Sequence, residues 1–526
     1  MLMKKRPFVN LDLTIACKSR DIDTAIDLID SGSDVNQVDD SGDTPLIWAL
    51  RNHLIEVASR IIDAGADINR ADSNKRSPLL WACRARALEN LLIDLGADVN
   101  AASAEDGDSP LTIACGNGDI KLALKLIRAG ANVNHVDQHQ NSPLTLACSA
   151  KCFTLAHRLV DMGANVNQTT DNGDTALILA CYHNFPDLAL KLIDQGAAVN
   201  CVDDDANTPL TLACDNNCER VALRLIGAGA YLHHVDADQD TPLTIACYRG
   251  LETTAMAILD AGGYTDVVNR SCETPLFWAC EQNMTRVAKW LIQKGAHVNH
   301  TSRSGNSPLL WACQHGNAEL ASCLINAGAN VNHANFERKT TPLLASINSN
   351  HQQIALKLIS SGANVNHITA DGDHALLSAC RQNMQMVVSR LLETTTSTIP
   401  SSLISHPQII KALERACDTS HNALALLLIK QHVQPTENAI MSVIFNELHD
   451  VGHELFVVRH TKIPHRVVVD HNVLPFLCRI FHHHHSRKQV LAFVRQKRLP
   501  TLCTDIVIQC LLSLYDDQIK RLILLR

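Results

Sequence analysis

The chain has 526 residues, long enough for three or four globular units of about 150 residues each; 46% are hydrophobic, yet only five are tryptophan, five tyrosine and ten phenylalanine. An interior built mainly from Leu, Ile, Val and Ala points to packed helices and away from a β-sandwich. Lys and Arg number 46 against 54 Asp and Glu, a net charge of −8, which excludes a general attraction to nucleic acid or to an anionic bilayer.

No uninterrupted apolar run is longer than Ala423 to Ile429, far short of the roughly 18 residues that a spanning helix needs, so no membrane span is expected. Met1 to Arg6 is basic, but Asn10 and Asp12 interrupt any apolar segment behind it, which argues against a secretory leader. The expected compartment is the cytoplasm, with the nucleus as the alternative.

From the N-terminus onward one pattern recurs. Leu11 to Cys17 is a degenerate first copy. Pro45, Pro78, Pro110, Pro143, Pro209, Pro242, Pro275, Pro308 and Pro342 then each precede a leucine, with Ala176 and Ala375 in the proline place of two further copies. Successive copies are 33 residues apart, except for one spacing of 32 and one of 34. A repeat of this length means a solenoid of stacked modules. Most of the 19 cysteines follow an alanine at this same period, among them Cys83, Cys115, Cys148, Cys181, Cys214 and Cys247. Such a column belongs to the fold. Equivalent positions on packed neighbouring helices lie about 8–10 Å apart, too far for a disulfide, so reduced core thiols are expected.

The fourth proline-led copy shows the local logic. Ser142 can cap a helix by accepting from its first free amides, and Pro143 sits where a missing N–H costs nothing. Leu144, Ala147 and Cys148 then fall at i, i+3 and i+4, a narrow stripe whose small residues allow close helix approach. Leu155, Leu159 and Val160 give a second helix, Gly163 supplies a left-handed stop, and Ala164 to Asn167 runs extended into a polar turn. One such unit cannot bury its apolar face alone; stacking completes it. Between Cys83 and Gly96 there are two residues fewer than between Cys115 and Gly130, which predicts a tightened turn in that copy. The extra residue in Phe336 to Thr341 belongs in a loop tip, where insertions are tolerated.

These residues resemble the ankyrin repeat, whose pattern is a polar hairpin, then TPLHxAA, then a second apolar helix ending in GAxVN. The resemblance covers roughly Leu11 to Leu392, eleven full copies behind an N-terminal capping repeat. The family's first-helix histidine is replaced by Thr, Ile, Leu or Phe, as at Thr112 and Leu310, which is expected to remove a polar contact near each cap. The resemblance implies an all-α solenoid of helix-turn-helix units with β-hairpin loops, and a protein partner held along a concave face of loop tips and first helices. No P-loop, GxSxG elbow or post-strand GxGxxG appears, so no catalytic activity and no cofactor are expected.

On that face, Trp48, Trp81, Trp278 and Trp311 share one repeat position as two adjacent pairs, placed to stack within each pair or to anchor a partner. Tyr182 and Tyr248 are the better recognition candidates, because nothing in the core demands an aromatic after the Ala-Cys pair. The earlier tips are acidic, with Asp39, Asp106, Asp174, Asp204 and Asp240 among their carboxylates; later tips carry Arg270, Arg303, Arg338 and Lys339. Two readings stand: a solvated surface, or a groove selecting a peptide with basic residues at one end. His135, His234, His300, His333 and His367 form a row expected to be solvated. The Val-Asn sites, such as Asn36 and Asn100, resemble those of ankyrin proteins that undergo asparaginyl hydroxylation, although the hairpin-forming role of asparagine suffices to explain them.

Beyond the array, Thr394 to Pro407 turns Ser/Thr-rich, and Ala416 to Ile429 echoes a helix pair without its cap or glycine. Residues 397–526 hold 15 Lys and Arg against 10 Asp and Glu, and 12 of the 26 histidines. His449 and His453 lie four apart and His482 to His485 form a run, but HDVGH lacks the glutamate of a metalloprotease motif and Gly452 weakens the helix. No metal site is expected. At the C-terminus Leu499, Leu502, Cys503 and Val507 form one helical stripe, and Asp516 can cap a last helix. Placed after such an array, this stretch resembles the SOCS box of substrate receptors for cullin ubiquitin ligases. The resemblance implies that Leu499, Leu502, Cys503 and Val507 fill the elongin C pocket. The cullin-contacting LPxP segment is not present, with Leu514, Tyr515 and Asp516 standing near its place. The plain alternative is a helical cap closing the stack.

The expected organisation is therefore a capping repeat at 1–42, ankyrin repeats at 43–393, a linker at 394–407, a degenerate terminal repeat at 408–435, a helical region at 436–498 and SOCS-box-like helices at 499–526. The expected function is protein recognition, as the substrate subunit of an elongin/cullin-type ligase or as a plain scaffold, by a chain that is monomeric apart from its partners and engages neither nucleic acid nor membrane.

Overall fold

The computed structural model describes residues 12–394, 407–418, 422–430 and 433–446, with isolated positions as far as Glu454. Leu499, Leu502, Cys503, Val507 and the histidines at 449, 453 and 482–485 lie outside the described residues. Two compact units divide between Arg270 and Ser271. The 33-residue spacing from Pro242 to Pro275 runs through that division unaltered.

The first unit is eight helix pairs. They are α1 (Leu13–Ser19) with α2 (Ile22–Asp30), α3 (Pro45–Arg51) with α4 (Ile55–Asp63), α5 (Pro78–Ala85) with α6 (Glu89–Asp94), and α7 (Pro110–Gly116) with α8 (Ile120–Arg128). Next come α9 (Pro143–Ser149) with α10 (Phe153–Asp161), α11 (Ala176–Tyr182) with α12 (Pro186–Asp194), α13 (Pro209–Asp215) with α14 (Glu219–Gly227), and α15 (Pro242–Tyr248) with α16 (Glu252–Asp260). Each first helix packs on the next, from α1 to α15.

The second unit repeats the plan. It contains α17 (Pro275–Glu281) with α18 (Thr285–Gln293), α19 (Pro308–His315) with α20 (Ala318–Asn326), α21 (Pro342–Asn348) with α22 (Gln352–Ser360), and α23 (Ala375–Arg381) with α24 (Gln385–Thr394). A further pair, α25 (Pro407–Asp418) and α26 (Asn422–Lys430), packs on α23 and α24, and α27 (Glu437–Phe445) lies against α25.

The helix ends have local causes. Ser142 Oγ accepts from the Thr145 amide at 3.1 Å and Thr145 Oγ1 accepts from the Ser142 amide at 2.8 Å, a reciprocal cap. Ser109 with Thr112, Thr208 with Thr211 and Thr241 with Thr244 do the same. This corrects the expectation that replacing the family histidine removes a polar contact: where threonine takes the place, its hydroxyl restores one. At the far end Gly163 sits at φ 82°, and the Ala164 amide reaches back to the Leu159 carbonyl at 3.0 Å, closing the last turn. In the shortened repeat Arg86 and Leu88 take left-handed conformations, φ 53° and 62°, and α6 loses its first turn.

Core residues are the small and aliphatic ones. Ala147, Cys148, Leu155 and Leu159 are fully buried, and their equivalents recur in most pairs. The described cysteines are all free thiols. Burial pushes the thiols of Cys17, Cys83, Cys148, Cys380 and Cys417 up to about 12, and raises those of Cys115, Cys181, Cys214, Cys247 and Cys313 further still.

The loops differ from the expected β-hairpins. Among the described residues no strand forms; one isolated bridge joins Ile368 and His374. Three other devices hold the loops in register. An aspartate closes each of several tips on itself: Asp137 Oδ1 accepts from the amides of His139 and Asn141 at 2.9 and 2.8 Å, and Asp39, Asp72 and Asp236 repeat the arrangement. A backbone bond then ties one tip to the next, as from the Asp171 amide to the His139 carbonyl at 3.1 Å. Finally, the Val-Asn asparagine staples neighbouring repeats. Asn134 Oδ1 accepts from the Asn165 amide at 2.6 Å while its Nδ2 donates to the Gly163 carbonyl at 3.3 Å. Asn36, Asn100, Asn167 and Asn200 make both bonds in the first unit, as do Asn299 and Asn332 in the second. Those bonds occupy both ends of the amide.

Candidate functional site

Packing uses the inner side of each first helix, which leaves the residue before the recurring alanine and the residues after the cysteine at the surface. Trp48, Trp81, Trp278 and Trp311 occupy the first of these places and are half-buried. They do not stack in pairs. The Arg51 guanidinium lies between the first two rings, 4.8 Å from the centre of Trp48 and 5.4 Å from that of Trp81. Lys18 approaches Trp48 from the other side at 4.8 Å, and Arg76 approaches Trp81 at 5.4 Å. Each indole also donates to the tip of its own repeat, Trp48 Nε1 to Asp39 at 2.9 Å and Trp81 Nε1 to Asp72 at 3.2 Å. In the second unit Phe277 stands edge-on to both Trp278 and Trp311, and His315 stacks on Trp311. The equivalent of Asp39 there is Ser302, too short to reach, and Trp311 Nε1 is buried without an acceptor.

These tryptophans are therefore tied into the scaffold, whereas the tyrosines project from it. Tyr182 is 60% exposed and Tyr248 44% exposed, at the C-terminal ends of α11 and α15. Tyr248 carries the Arg249 guanidinium 5.1 Å from its ring centre, and Arg249 in turn pairs with Asp215 at 2.7 Å.

The acidic tips fall into two electrostatic groups. Near the N-terminus the carboxylates meet cations: Asp43 faces Arg51 at 3.6 Å, and Asp106 and Asp108 share Arg84. Burial works against the charge of Asp39, but the Asp43 and Ser41 amides, the Trp48 indole and Lys18 outweigh it and hold the group below the usual carboxylate range. Asp106 is held down to about 2 against its own burial by Ser103, Arg84 and the Asp108 amide. Asp43 and Asp108 are nevertheless raised, by burial and then by Asp39 and Asp106 beside them. Asp174 is raised by burial and then by the crowding of Asp203, Asp204 and Asp205. Asp240, by contrast, accepts from Asn269 Nδ2 at 3.0 Å.

The histidine row is not the solvated fringe expected. Each ring is half-buried and its Nε2 meets the carbonyl of the residue 28 positions earlier: His135 with Gly107 at 2.7 Å, His234 with Ala206 at 2.8 Å, His300 with Cys272 at 3.1 Å, His333 with Gly305 at 2.8 Å and His367 with Lys339 at 2.6 Å. They are inter-repeat ties. Sequence reasoning saw the row but not its partner, which lies in the preceding tip.

Among the described residues no trio of His, Cys, Asp or Glu is arranged to hold a metal ion, and no helix is long and apolar enough to cross a membrane. What remains in the first unit is a surface of tips and first helices from which Tyr182 and Tyr248 project. The helix-pair geometry has a counterpart in known families: the family model for ankyrin repeats in three copies matches residues 13–103, 87–170 and 151–236, and that for ankyrin repeats in many copies matches 276–325. Together they span more than half of the chain. The chain belongs to the ankyrin-repeat family. A comparison with the curated proteins finds no match. Ankyrin repeats make this a protein–protein interaction module, and the all-helical solenoid of each unit is the expected ankyrin architecture with turns in place of β-hairpins.

Proposed function

We propose that the chain acts by recognition, holding a protein partner on the loop tips and first helices of its ankyrin repeats and performing no chemistry itself. The observation that carries this is the exposure of Tyr182 and Tyr248, large rings at the ends of first helices, in a unit whose tips also hold the crowded carboxylates around Asp174. Half-buried Trp48 and Trp81 belong to the first helices of the same unit, and Trp278 and Trp311 hold the equivalent places in the second. Tyr182→Ala and Tyr248→Ala should each reduce the yield of partners cross-linked to the chain in cells by at least about tenfold, the loss of a strong aromatic anchor. Stability should change by no more than about 0.5 kcal/mol, as for other exposed positions. Undiminished yields with both variants would place the partner on another face.

The finer reading is a substrate receptor for an elongin/cullin-type ubiquitin ligase, in the cytoplasm or nucleus, in which proximity to another protein's active site does the catalytic work. Its support is the spacing of Leu499, Leu502, Cys503 and Val507 behind a repeat array, and these residues lie outside those described. Wild-type protein should then co-purify with elongin C from cells, while Leu502→Asp and Cys503→Asp should not and should keep the helical circular dichroism of the wild type. Absence of elongin from the wild-type preparation would leave the plain scaffold.

A further inference from the structure

Three consecutive tips of the second unit differ from the acidic tips of the first. Between Pro308 and Pro342 the spacing lengthens to 34, and the longer tip carries Phe336, 65% exposed; the tip after it begins with Ile368, 58% exposed. The three loops are tied together: the Phe336 amide donates to the Ser304 carbonyl at 3.0 Å, and the Ala370 amide to the Arg338 carbonyl at 2.9 Å. His367 Nε2 sits 2.6 Å from the Lys339 carbonyl. The Phe336 ring packs against the preceding tip, so close that a Cβ on Gly305 would stand 2.8 Å from its Cγ. The ring is held in place and still faces water.

Around it stand Arg303, Arg338 and Lys339, all exposed. They take part in none of the ion pairs among the described residues, whereas Arg51, Arg84, Arg249 and Arg381 each meet a carboxylate. Glu337 and Asp371 are the exposed acids of the same tips, so cations outnumber carboxylates without forming a polybasic surface. A fixed phenyl ring with Ile368 on the next tip, bordered by unneutralised guanidinium and ammonium groups, fits a peptide whose carboxylates take the cations, Arg in a two-point fork, while an aliphatic or aromatic side chain covers the apolar residues. The interspersed acids and the net charge of −8 disfavour a nucleic acid backbone, which needs a run of cations.

From this geometry we infer that Arg303, Phe336, Arg338, Lys339 and Ile368 form a second docking surface, for an acidic protein segment bearing an apolar residue. It rests on the reading of the chain as a recognition module but not on the tyrosine face. The probe is a phage library of randomised dodecapeptides selected against the full chain, with single-stranded DNA of twelve nucleotides as competitor. Selected peptides should be rich in Asp and Glu around an aliphatic or aromatic residue, and a synthetic consensus peptide should bind at least tenfold more weakly to Phe336→Ser and to Arg338→Glu/Lys339→Glu. Tyr182→Ala should leave that affinity intact. Lys- and Arg-rich peptides, an affinity indifferent to both tip variants, displacement by the oligonucleotide, or no enrichment would each overturn the inference. Peptides that depend on Tyr182 and not on the tips would overturn it while leaving the proposed function standing.

Discussion

Between pH 8 and pH 10 each unit should lose several kcal/mol of stability, and it should lose it through buried thiols. A cysteine ionises near 9 in the unfolded chain, whereas Cys148, fully buried, is held neutral up to about 12. A folded-state pKa raised in this way leaves stability whole below the unfolded value and removes it as the pH climbs toward the folded one. The slope rises to about 1.4 kcal/mol per pH unit for each such group once the pH is above the unfolded value. Cys17, Cys83, Cys115, Cys148, Cys181, Cys214 and Cys247 all lie in the first unit with raised values, and a domain's whole stability is only about 5–15 kcal/mol. Urea unfolding followed by circular dichroism at pH 8, 9 and 10 would measure the slope. Cys148→Ala/Cys214→Ala should reduce the total loss between pH 8 and pH 10 by roughly 2.7 kcal/mol, because two groups no longer titrate. A slope unchanged in that variant would mean that other groups drive the alkaline transition.

Asn134→Ala should destabilise the first unit by about 1–2 kcal/mol, the net worth of two hydrogen bonds whose freed partners can turn to water. The variant strands the Asn165 amide and the Gly163 carbonyl, which the single Asn134 side chain now joins at 2.6 and 3.3 Å. Asn134→Asp keeps the acceptor and loses the donor, so it should fall between wild type and alanine. Chemical denaturation at pH 7 would read the series. An alanine variant as stable as the wild type would show that packing alone sets the register between these two repeats.

Whatever is local was legible in the residues. Ser142 and Pro143 announce a helix start and Gly163 its end, because a cap is satisfied within a few residues of itself. The missing pair of residues between Cys83 and Gly96 foretold a tightened turn; it did not reveal that Leu88 would carry it at φ 62°. Ties between repeats were the hidden part. Asn134 and His135 recur conspicuously, yet each finds its partner in an adjacent repeat, about 30 residues away along the chain, and periodicity cannot say what faces what across that gap. The tryptophans failed for the same reason: equal spacing suggested ring on ring, while Arg51, at the end of its own helix, intervenes. Nor does anything in the motif mark the division after Arg270, since cap, proline and alanine recur on both sides of it.

The staples carry a consequence for how a chain of this kind can change length. Each asparagine amide, histidine ring and tip carbonyl connects only to the adjoining repeat. Among repeats that carry the staple, such as those of Asn100, Asn134 and Asn167, excising or duplicating one 33-residue block at equivalent points therefore presents each severed donor with an equivalent acceptor. Such genes can gain or lose whole modules by recombination without first acquiring compensating substitutions, and the reach of the binding surface becomes a quantity adjustable in steps of one repeat.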